Sequence, residues 1–101
     1  MTSRKSESNR IVKTLRGLKQ HIRVEYKAEI TGIFGSYSRG QQRANSDVDI
    51  LVRFLEGATL FDLVGLGDFL EGKLRVKVDI VSEGAVRSEL REQIMNEVVP
   101  V

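Results

Sequence analysis

Apolar residues recur along this chain with two different periods, and the changes of period divide it into elements. Ile11, Leu15, Leu18 and Ile22 are spaced four, three and four apart, the step of one helix face. Asn9 stands where an N-cap would, and the polar stretch 1–8 before it reads as loosely ordered. Residues 29–34 read as a first strand, broken by Gly35. A short helix over 37–42 and a loop over 43–46 follow. The strand 47–54 alternates cleanly, with Val48, Ile50, Val52 and Phe54 to one side and Asp47 and Asp49 to the other.

Beyond the turn at Gly57, Thr59 with Asp62 three residues on resembles a capping box. It opens a helix over 60–71 carrying Leu60, Leu63, Val64, Leu66 and Leu70, with Gly72 as its C-terminal cap. A third strand over 75–81 sets Val76, Val78 and Ile80 against Lys77 and Asp79. A last helix opens at Ser82 or Glu83. It carries a core-facing stripe of Val86, Leu90, Ile94 and Val98 and stops at Pro100. The order is α-β-α-β-α-β-α: about three strands forming one sheet covered by helices. Phe54, Phe61 and Phe69 read as core or helix-face residues, and the apolar exposed side of the 60–71 helix suggests a partner surface. His21, the only histidine, is assigned to packing or surface.

Composition narrows the class. A chain of 101 residues, 41% hydrophobic and 30% charged, is expected to form one globular domain over 1–101. The net charge is only +2, so the pI of 9.2 signals no basic nucleic-acid arm. Stacking aromatics and a basic stripe are missing as well, which argues against direct nucleic-acid binding. No cysteine is present, which excludes disulfides and thiolate metal sites. No run could span a bilayer, and the expectation is a cytoplasmic protein.

Asp47 and Asp49 are two apart on a strand, so their side chains leave the same face. Like charges that close repel, and a divalent cation lets both stay ionised. Magnesium fits, because it is commonly held by one or two carboxylates together with substrate phosphates. Asp79 has the equivalent place on the next strand, and if the two strands are neighbours the three converge. Such a trio can hold two metals across a phosphoryl displacement. Alternatively the aspartates face solvent and are neutralised by Lys77 or Arg53.

Gly35 and Ser36 sit where a strand ends and a helix begins, a place where backbone N–H groups favour an anion such as a triphosphate. Arg39 and Arg43 could reach the same anion. The other reading makes Ser36 an ordinary cap, Gly35 a strand breaker and both arginines solvated charges. Tyr37 either stacks near the phosphates or packs on the short helix. The ten residues between Ser36 and Asp47 are enough for a short helix and a return loop, which brings the aspartates back to the phosphate cradle.

G-S, ten residues, D-x-D and a later lone aspartate in a strand together resemble the polymerase-beta-like nucleotidyltransferase superfamily, more narrowly its MNT-type minimal nucleotidyltransferases. The likeness runs from the first helix through G-S-Y-S-R-G, S-D-V-D-I-L-V, T-L-F-D-L-V-G-L and K-V-D-I-V to S-E-L-R-E-Q-I. It implies an α+β palm-like fold with a small mixed sheet. It implies that Gly35 and Ser36 hold the nucleoside triphosphate, that Asp47 and Asp49 ligate magnesium, and that Asp79 is the third carboxylate. The implied activity is transfer of a nucleoside monophosphate, usually AMP from ATP, to a hydroxyl. Relatives of this size resemble antitoxins of HEPN-domain ribonuclease toxins, some of which adenylylate a tyrosine of the toxin. A small antibiotic or tRNA acceptor would require a second subunit, and an oligomer is allowed. The competing class is a non-catalytic antitoxin that neutralises its partner by binding alone.

Overall fold

The computed structural model describes residues 3–101. Its first helix, α1 (Arg4–Tyr26), starts well before Asn9. Ser3 is the N-cap, its side chain accepting the Ser6 N–H at 3.1 Å. The expectation of loose order over 1–8 is therefore corrected for Arg4 onward, and Met1 and Thr2 lie outside the described residues. Tertiary bonds hold this polar turn: Ser8 Oγ donates to the Tyr37 carbonyl at 2.7 Å and Gln42 Nε2 to the Arg4 carbonyl at 2.6 Å. Farther along, Ile11, Val12, Leu15 and Ile22 are buried.

Strands β1 (Ala28–Phe34) and β2 (Val48–Phe54) pair antiparallel. The connection between them lacks the expected α-helix over 37–42. A single 3₁₀ turn, Gly35–Tyr37, is followed by further turns with Gly40 in the left-handed region, φ 66°. Helix α2 (Leu60–Leu74) begins as its capping residues require, the Asp62 carboxylate accepting the Thr59 N–H at 2.8 Å. It runs past Gly72 and ends with Arg75 as the left-handed cap, φ 58°. The chain then returns in β3 (Val78–Ser82), parallel to β2, as a β-α-β crossover allows. Val48, Ile50 and Val52 are fully buried beneath α1 and α2 together with Leu66, Leu70 and Leu74. Truncating Ile50, Leu66, Leu70 or Leu74 to alanine would cost about 2–5 kcal/mol.

The C-terminal quarter departs from the sequence pattern. Gly84 and Ala85 lie in a second 3₁₀ turn, Glu83–Ala85, so α3 begins only at Ser88 and spans Ser88–Glu97. None of its residues is buried, and the stripe assigned to the core stays partly open, with Leu90 47% exposed. A fourth strand follows, β4 (Val99–Pro100), pairing antiparallel with β1. The sheet order is β3-β2-β1-β4, four mixed strands where the periodicity marks three. Gly32 permits the added strand, because a Cβ there would collide with the Val99 carbonyl. Among the described residues no helix is long and apolar enough to cross a membrane.

Candidate active site

Parallel pairing of β2 with β3 sets Asp49 directly opposite Asp79 in the register. Asp47 precedes β2 by one residue and projects exposed beside them, whereas Asp49 is half-buried. Asp49 feels both of the others. Burial pushes the Asp49 carboxyl up to about 6, Asp79 and then Asp47 add to the rise, and the Arg39 guanidinium pulls it back. Neutralisation by Arg53 does not occur, since Arg53 is bonded across the strands to Glu29. Among the described residues no three carboxylates or imidazoles stand close enough together to form a finished metal cage. The donor set nonetheless fits a hard divalent cation, which would relieve the repulsion that Asp79 and Asp47 exert on Asp49.

Gly35 closes the site from the β1 side. Its φ of 74° lies in the left-handed region, and an added Cβ would run into the Asp49 carboxylate. Only glycine lets the backbone lie this close. The Gly35 carbonyl accepts from Ser38 Oγ at 2.7 Å, and the Ser36 carbonyl accepts the Gln41 N–H at 2.9 Å, which folds 35–41 into a compact loop. Since no α-helix begins here, a phosphate at this loop would rely on local amides, the Ser36 hydroxyl and Arg39 rather than on a helix dipole.

The two arginines part company. Arg39 lies near enough to act on Asp49 and is held by Glu97 at 3.1 Å and by Gln41, also at 3.1 Å. Arg43 is exposed in the following turn, in a recess it shares with Ser3, Glu7 and Gln42, and it is not among the charges acting on Asp49. Tyr37 is buried, 5% exposed, which answers its alternatives in favour of packing.

The nucleotidyltransferase domain family matches residues 11–101. The chain belongs to that family. Protein adenylyltransferase MntA of Thermococcus cleftensis is 37% identical over 83 residues, 82% of this chain and 84% of that protein. MJ1215 of Methanocaldococcus jannaschii is 36% identical over 86 residues, 85% of this chain and all of the relative. Among solved structures, a minimal nucleotidyltransferase shares 42% identity at a TM-score of 0.74, covering 89% of this chain and 95% of the other. A toxin–antitoxin crystal structure with AMP-PNP shares 29% identity at a TM-score of 0.66, covering 92% of this chain and 70% of the other.

This nucleotidyltransferase therefore has the α+β fold of minimal members of its family. Two of its site features escape sequence patterns. Glu97, which holds Arg39, is 58 residues away along the chain. Gln42 is buried at 6% exposure and ties the site loop to α1, leaving its Oε1 without a partner among the described residues. A buried glutamine in a loop between charged residues carries no periodic signal.

Proposed function

We propose that this chain is a magnesium-dependent protein adenylyltransferase acting as the antitoxin of a HEPN-type toxin, with a tyrosine of that toxin as acceptor. What carries the reading is the in-register pair Asp49 and Asp79, with Asp47 beside it and Gly35 backed onto Asp49. The relatives named for protein adenylylation and for toxin–antitoxin complexes support the choice of donor and partner.

In this reading Gly35, Ser36 and Arg39 bind the triphosphate of ATP, with Arg43 at the outer edge. Asp47, Asp49 and Asp79 would hold magnesium, which when bound neutralises the charge on the attacking and leaving oxygens. Asp79, exposed at the rim, accepts the proton of the acceptor hydroxyl. The hydroxyl oxygen forms a bond to the α-phosphorus as the bond from that phosphorus to the bridging oxygen breaks. AMP is left on the acceptor and pyrophosphate departs. The work of the protein is positioning and charge, as in other phosphoryl transfers.

The test uses ATP labelled at either the α- or the γ-phosphate, incubated with magnesium and the co-purified partner. Label on the partner from the α-position alone is expected, and it should vanish with Asp47→Asn, Asp49→Asn. A second reading, neutralisation by binding alone, draws on the exposed Leu60, Phe61 and Val64 at the start of α2. It requires that the same double variant still protect cells from the partner.

A further inference from the structure

The sheet has two faces, and α1 and α2 cover one of them. Over the other, α3 stands off from β2 and leaves a cavity of about 130 Å³ lined by Leu51, Glu83, Val86, Arg91, Ile94 and Met95. Leu51 leaves the same face of β2 as Asp49 and lies two residues farther along, about 7 Å at the rise of a strand. The cavity thus opens on the carboxylate-bearing face of the sheet, one same-face position along β2 from Asp49.

Its lining selects a ligand class. Four of the six side chains are aliphatic or thioether, and each of the two charged ones already spends one polar atom on a neighbour. Thr31 Oγ1 donates to the Glu83 carboxylate at 2.8 Å, and the Arg91 guanidinium donates to the Glu83 carbonyl at 3.1 Å. A nucleobase edge entering here would turn most of its polar atoms toward apolar walls and give up water there. A single aromatic ring has no such edge, and aliphatic cavities of about 150 Å³ take up benzene. Met95, 46% exposed and unbranched, can adjust to a ring at the mouth.

We propose that this cavity seats the aromatic ring of the acceptor, a tyrosine side chain of a protein partner, with its hydroxyl turned toward Asp49 and Asp79. The proposal rests on the adenylyltransferase reading above and adds the means by which a tyrosine is chosen over serine or threonine. The aliphatic hydroxyl side chains would leave the cavity empty and their oxygens unanchored.

The experiment is methyl NMR of Leu51, Ile94 and Met95 in the full chain, titrated separately with p-cresol and with ATP and magnesium. Saturable shifts of all three residues with p-cresol are expected. The Leu51 and Ile94 shifts should be abolished by Met95→Trp, whose indole fills the space, and weakened at least tenfold by Met95→Lys. Met95 is half exposed, so one of these variants serves if the other fails to fold. Methyls that ignore p-cresol, or that answer only to ATP, overturn the ring seat even if adenylylation of the partner is seen. Occupancy by p-cresol in a chain that transfers no nucleotide to its co-purified partner overturns the adenylyltransferase reading, and the acceptor role falls with it.

Discussion

At the scale of single residues, the proposed chemistry leaves its clearest mark on Asp49. Its carboxyl is raised from an ordinary 3.8 to about 6, so between those values the folded chain binds more protons than the unfolded one. The stability it contributes is present below about pH 4 and is lost as pH rises toward 6. Thermal melts without divalent ions should therefore fall over that window more steeply in the wild type than in Asp49→Asn. Added magnesium should raise the wild-type midpoint at neutral pH and leave the variant unmoved. Parallel slopes for the two proteins would remove Asp49 as the titrating group. Gly35 gives an independent check. Alanine there meets a left-handed backbone costing about 1–2 kcal/mol and drives its methyl against Asp49. Transfer to the partner, followed by labelled ATP, is expected to slow about 100-fold or more, as displacements near 1 Å do elsewhere.

Among the elements, the strands were the legible part. Alternation at Val48, Ile50 and Val52 marks β2 because one face is buried, and a connecting helix between β2 and β3 demands a parallel return. From sequence alone Asp49 and Asp79 shared a patch only if the two strands were neighbours, and it is the parallel register that makes them so. What stayed hidden depends on contacts distant in the chain. The first turns of α1 have no apolar periodicity and stand through Ser3, Ser8 and Gln42. The 35–41 loop is shaped by positive φ at Gly35 and Gly40, which prevents the short helix its composition suggests. Strand β4 is two residues long and ends in proline, far too short for a period to show. Gly32→Val should push this strand away from β1. Hydrogen exchange at Val99 and Val101, whose N–H donates to Thr31 at 3.2 Å, is expected to speed up while the β2 amides remain protected. Unchanged exchange at Val101 would mean that β4 docks without the close approach at Gly32.

Seen whole, the molecule is lopsided. Two helices bury one face of the sheet, whereas the other carries the carboxylates, the ring-sized cavity and an α3 with no buried residue. Apolar area is also left outside the core at the start of α2, where Phe61 is 88% exposed. Phe61→Ser should then shift stability by no more than about 0.5 kcal/mol in denaturant unfolding, as surface changes do. A larger loss would place Phe61 in the core and remove the surface invoked for binding alone. The open face and the spare apolar area both suit a chain whose acceptor is another protein.

That claim is tested most directly by intact mass spectrometry of the protein that co-purifies with this chain from its native cells. The complex is incubated with magnesium and each nucleoside triphosphate in turn, beside Asp47→Asn, Asp49→Asn. A partner heavier by one or more adenylyl units, with ATP and the wild type only, is the expected result. A stable complex whose partner keeps its mass with every nucleotide would contradict adenylyl transfer and leave binding alone as the function.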